Sequence, residues 1–257
     1  MLTSAAFGDQ PHISPLPSAR TPDERWLRAV ALAGQGHYSE AAELARTLRE
    51  PRHPVPLRAM ALSLEASTLR QQGDHARALR LDTRALELLD ETRGQAPELA
   101  LARCDALTGL AADHLGLGGF DRTGPLLAQT KDFLAAATSA PFGWRARVRW
   151  VWVNAETAIA TGDRGAAVAF GLLETQSFTT TAVPGLRHRV KSHLIQSAAQ
   201  FCTDNLGQAR LCALDVFTDA QAAGLVPLAW AAAMLLHAVE PGEGWDGRAA
   251  ALRARWT

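Results

Sequence analysis

The stretch GWRARVRWVWVN, residues 143–154, sets three arginines and three tryptophans into twelve residues of a chain otherwise rich in alanine and leucine. Guanidinium groups pair with carboxylates through two parallel hydrogen bonds, and an indole is a large, rigid anchor. The composition therefore fits recognition of an acidic or carboxylate-ended peptide. Arg145, Arg149, Trp152 and Glu156 recur at i, i+4, i+7 and i+11, which puts them on one helical stripe. Trp150 lies about 200° from Trp152 at the helical step of about 100°, so the two rings cannot serve one face. A second stretch, GLRHRVKSHLIQSAAQF from Gly185, adds Arg187, Arg189 and Lys191. No acidic residue stands between Asp132 and Glu156, or between Glu174 and Asp204. Two helices are thus expected to begin with uncompensated positive charge. The plainer alternative is that Trp152 packs between helices while the arginines are solvated.

Other reactive side chains lack the company that catalysis requires. His188 and His193 are five apart, which turns them off a common helix face, and neither Cys202 nor Cys212 stands at metal-ligand spacing to them. The glycines of GLGG, residues 116–119, follow a helical stretch, whereas a dinucleotide fingerprint follows a strand. Cys104 beside Asp105 has no basic activator and reads as a small buried apolar residue. Asp113–His114 has no nucleophile placed with it. No enzymatic activity, cofactor or metal is expected.

The elements that carry these residues read as helix, short break, helix, throughout. Breaks fall at GQGHYS, QQGDH, LGLGGFD, ATGDRG and CTDNLG, each with glycine or a capping residue suited to a helical corner. Aligned on the corner, five hairpins place a small residue in the second helix twelve positions after one in the first. The pairs are Ala29/Ala41, Ala66/Ala78, Ala111/Thr123, Ala155/Ala167 and Ser197/Ala209. Small side chains at both places let paired helices approach closely. A sixth hairpin is expected over residues 228–239 and 246–256.

With its G-x-Y-x-x-A corner clearest in GHYSEAA and recognisable in GDHARAL, the chain resembles the tetratricopeptide (TPR) family over roughly residues 21–257. The third alanine of that pattern survives only as Ala85, and the closing proline is missing. The resemblance implies an all-α fold, a TPR-like α-solenoid of about six antiparallel hairpins in a right-handed superhelix, with first helices lining a concave groove. In that pattern Arg149, Trp152 and Glu156 face the groove, and Lys191 takes the place equivalent to Arg149. Arg145, Arg149, Trp152, Glu156 and Lys191 are therefore the expected partner-binding residues. The carboxylate clamp of chaperone-binding TPR domains does not transfer, because the corresponding positions hold unmatched side chains.

Acids and bases balance at 26 each, which gives no electrostatic case for nucleic acid or an anionic membrane. Three scattered cysteines without a CxxC fit a reducing bacterial cytoplasm, and the run LAWAAAMLLHAV is too short to span a bilayer. Residues 1–20 have no apolar leader and no periodicity, so they read as a mobile tail. The function expected is a non-catalytic scaffold or adaptor holding a protein or peptide, acidic by the charge argument. The alternative is a regulatory sensor that binds a peptide or small ligand and acts through a separate chain. The apolar last hairpin leaves monomer and homodimer as alternatives.

Overall fold

In the computed structural model, residues 1–179 and 184–256 are described, and among them every regular element is helical. After a short helix α1 (Leu2–Phe7), six hairpins follow. They are α2 (Pro22–Gln35) with α3 (Tyr38–Thr47), α4 (Val55–Gln71) with α5 (His75–Asp90), and α6 (Pro97–Gly116) with α7 (Phe120–Ala137). Next come α8 (Trp144–Thr161) with α9 (Arg164–Ala166), which continues as a wider π-helical stretch Ala167–Glu174, and α10 (Leu186–Cys202) with α11 (Leu206–Ala222). The last hairpin is α12 (Val226–Val239) with α13 (Trp245–Arg253).

Local chemistry sets these boundaries. Thr21 caps α2 through a capping box, its hydroxyl accepting from the Glu24 amide at 3.2 Å while Glu24 accepts from the Thr21 amide at 3.1 Å. The corners turn through left-handed residues. Gly36 does so at φ 97°, and Asp204 supplies the same geometry at φ 63° where glycine is missing. All ten small residues of the five expected pairs are fully buried. Replacing any of them with a large side chain would force the hairpin apart.

Residues 1–20 differ from the expected tail. Leu2, Ala5, Ala6, Phe7 and Leu16 are buried in a cluster with Trp26 and Leu27. A six-residue helix is too short to stand alone, so its order comes from docking. Side chains of α2 hold the segment's backbone: Arg28 donates to the Leu16 and Pro17 carbonyls, and Gln35 to those of Pro11 and Ile13. The proline-rich composition hid these contacts, which need no periodicity in the segment itself.

The first helices touch in sequence, α2 to α4, α4 to α6, α6 to α8, α8 to α10 and α10 to α12, and α12 returns to α2. The cycle is sealed outside by α13 and the residues after it. The Trp256 ring meets Tyr38 edge-on at 5.2 Å, and Arg253 donates to the Gln71 and Gln72 carbonyls. In place of the expected open groove there is a space ringed by the six first helices. The apolar last hairpin, one expected seat for a second copy, lies against its own first hairpin.

Candidate ligand chamber

The six first helices surround a cavity of about 470 Å³, to which Phe7 of the docked N-terminal segment also contributes. Helical spacing brings side chains to it in stripes: Trp26, Val30, Ala33 and Gly34 from α2, and Met60, Leu64, Ser67 and Arg70 from α4. The five residues singled out from the sequence, Arg145, Arg149, Trp152, Glu156 and Lys191, all reach this one wall.

Each cation among the five has a carboxylate partner, although these helices were expected to begin with uncompensated charge. Asp105 of α6 is buried and accepts two hydrogen bonds from Arg145, at 2.9 and 2.5 Å, and a further one from Arg149. Lys191 pairs with Glu156 at 3.1 Å and lies 4.9 Å from the centre of the Trp152 ring. The Arg145 guanidinium also lies beside the paired rings of Phe7 and Trp26, 5.6 and 5.2 Å from their centres. Arg145 is only 5% exposed, so it is part of the wall's framework.

Trp152 combines the two sequence readings. It is buried, stacks on His188 at 5.5 Å, and its indole donates to the Ser192 hydroxyl at 3.0 Å, yet its ring lines the chamber. Trp150 turns the opposite way, as the helical angle required, and donates to the Leu127 carbonyl. Burial drives His188 well below the ordinary histidine range, and the neighbouring Arg187, Arg145, Arg149 and Lys191 push it further. It is a neutral ring.

A second ionic cluster, absent from the sequence reading, stands beside the first. Arg70 of α4 pairs with Asp82 at 3.2 Å and with Asp113 at 2.5 Å, and His75 lies 3.7 Å from Asp113. Gly109 lets Asp82 approach α6, since a Cβ at that position would lie 2.1 Å from the carboxylate. Burial raises Asp82 to about 7 and also raises Asp113, against the pull of Arg70. Desolvation opposes the charge on Arg70, but the two carboxylates outweigh it and hold the guanidinium protonated.

Arg187 is the exception. It has no carboxylate at ion-pair distance among the described residues, and burial, with Arg145 and Arg149 nearby, lowers it to about 10. Its stem lies over Gly34, where a Cβ would come within 3.1 Å of Cδ. The N-terminal segment covers the start of the same helix. The Leu186 amide donates to the Gly8 carbonyl at 3.1 Å, and Arg189 reaches Asp9.

The geometry defines an all-helical protein with a cation-rich and aromatic chamber ringed by its first helices. No family model, curated protein or solved structure matches the chain. Among the described residues, no three His, Cys, Asp or Glu side chains converge as metal ligands. Cys104 is buried, and its thiol is pushed up to about 12, which makes it unreactive. Also among the described residues, no helix is long and apolar enough to cross a membrane. The chamber presents fixed donors, ring faces and a volume within the roughly 300–1,000 Å³ typical of small-molecule sites.

Proposed function

We propose that the chain is a non-catalytic binding protein of the sensor type. Its hairpins form a TPR-like right-handed superhelix that closes on itself. The chamber holds one small organic ligand or the end of a short peptide, and occupancy is read by a separate chain in the cytoplasm. The observation that carries this reading is the convergence of the four stripe residues and Lys191 with Trp26, Tyr38 and Arg187 on a single cavity of about 470 Å³. The five buried small-residue pairs support the repeat architecture, and three free cysteines agree with a reducing compartment. A long partner segment running along the inner wall, the scaffold reading, is disfavoured. Phe7 and Pro227 of the chain itself occupy that wall, and α12 abuts α2.

Thermal-shift screening of small organic acids, sugars, nucleotides and short acidic peptides tests this. At least one small compound should raise the melting temperature of the wild type. Ser67→Phe, which projects a phenyl ring into the chamber from a half-buried position on α4, should abolish the shift. Stabilisation only by long peptides, and undiminished in Ser67→Phe, would refute the chamber as the site.

A further inference from the structure

The chamber's charges are nearly but not fully matched. Of the cationic side chains that reach it, Arg145 and Arg149 share Asp105, Arg70 has Asp82 and Asp113, and Lys191 has Glu156. Arg187 alone has no carboxylate at ion-pair distance among the described residues. Buried charges are normally paired because removal from water costs far more than an unpaired site returns. The side chain is nonetheless well seated. Gly34 leaves a notch on α2 in which the guanidinium lies, and a Cβ there would come within 3.2 Å of Nη1.

A second orphan lines the same cavity: Tyr38 is 3% exposed and its hydroxyl makes no hydrogen bond. The Trp26 Nε1–H, on the same α2 face as Gly34, is likewise buried without an acceptor. Leaving buried donors of this kind unmet costs free energy that a ligand acceptor would recover. An oxyanion next to Arg187 would serve the guanidinium and the hydroxyl together. Past them the wall turns apolar along Val30, Met60 and Leu64. Asp105 and Glu156 on the facing side oppose a second negative charge.

Resting on the ligand-chamber reading, we propose that the ligand is a monocarboxylate with an apolar body, and that Arg187, lying in the Gly34 notch, is its carboxylate seat. The Tyr38 hydroxyl donates the second hydrogen bond, and the apolar body lies along α2 and α4.

Phenylacetate and hexanoate, their neutral amides, and phenyl phosphate are suitable probes, read by thermal shift and by the fluorescence of the chamber tryptophans. The acids should bind the wild type about tenfold or more tighter than the amides, the margin expected of a charge-assisted pair. Arg187→Met should bind acid and amide alike while keeping its helical circular dichroism. Arg147→Met, at an exposed residue paired with Glu174 outside the chamber, should keep the full preference. Equal binding of acid and amide by the wild type, blocked by Ser67→Phe, would leave the chamber a ligand site and overturn the carboxylate seat. A preference that survives Arg187→Met, or tighter binding of phenyl phosphate than of either acid, would overturn it too. Binding of none of the probes at millimolar concentration would overturn the carboxylate seat, while the chamber reading stands or falls with the broader thermal-shift screen.

Discussion

Arg187→Met should make the ligand-free protein more stable. The guanidinium is held in a site where burial and two neighbouring arginines lower its proton affinity from the ordinary 12.5 to about 10. Each tenfold change in proton affinity corresponds to about 1.4 kcal/mol, so charging this group in the folded state costs at most about 3–4 kcal/mol relative to the unfolded chain. The side chain is partly open to the chamber, where water screens some of that cost, which leaves about 1–2 kcal/mol. The sign follows from the direction of the change. A base whose folded pKa is lowered carries its full cost below about 10, and the cost fades only as pH rises from there towards 12.5. At neutral pH the penalty is therefore complete. Methionine keeps the apolar stem over Gly34 and drops the charge. At about 2–4 °C per kcal/mol for a chain of this size, the melting temperature should rise by about 2–8 °C. Differential scanning calorimetry of both proteins at neutral pH, with Arg147→Met as the exposed control, measures it. An unchanged or lower melting temperature would mean that Arg187 is compensated within the protein, and the argument for an anionic ligand would lose its foundation.

Three further outcomes follow from other parts of the wall and frame. Asp105→Asn strands Arg145 and Arg149 and should cost about 3–5 kcal/mol in urea denaturation, with Asp105→Asn/Arg145→Met recovering part of it; a loss below about 1 kcal/mol would contradict the shared-carboxylate account. Ala155→Leu, at a fully buried hairpin contact, should cost about 1–3 kcal/mol, whereas Ala136→Leu on the exposed side of α7 should stay within about 0.5 kcal/mol. Asp82 holds its proton up to about 7 in the folded state against 3.8 ordinarily. Its stabilising contribution is therefore present at low pH and lost as pH rises across that interval. Asp82→Asn should change the melting temperature more favourably at about pH 8 than at about pH 5, and equal changes would show that Asp82 ionises normally.

Much of the frame was legible because it is local. A twelve-residue offset between small side chains, a left-handed corner and a capping box each involve residues within about one hairpin, and Ala29/Ala41 through Ser197/Ala209 are buried as that spacing requires. The stripe Arg145, Arg149, Trp152 and Glu156 was legible for the same reason, and with Lys191 it lines one cavity. What escaped depends on distant partners. The surplus charge read from α8 vanishes because Asp105, 40 residues before Arg145, turns to meet it, and no periodicity connects the two. Ring closure rests on contacts such as Arg253 to the Gln71 carbonyl, 182 positions apart. The N-terminal segment escaped because Phe7 meets Trp26, Phe142, Trp144 and His188, from three separate places in the chain, while its own residues resemble linker. Arg187 was noted only as one more cation on α10, since the absence of a partner is a property of the assembled wall.

Closure of the helix ring has a built-in reporter, because Tyr38 is the chain's single tyrosine and sits where Trp256 meets the first hairpin. Burial there pushes the phenol well above its ordinary 10.0. Ultraviolet difference titration should show no phenolate in the wild type until circular dichroism reports unfolding, and Trp256→Ala should bring ionisation back towards 10. A wild-type phenol that titrates near 10 while the helices remain intact would show that the ends stand apart and that the chamber is an open groove.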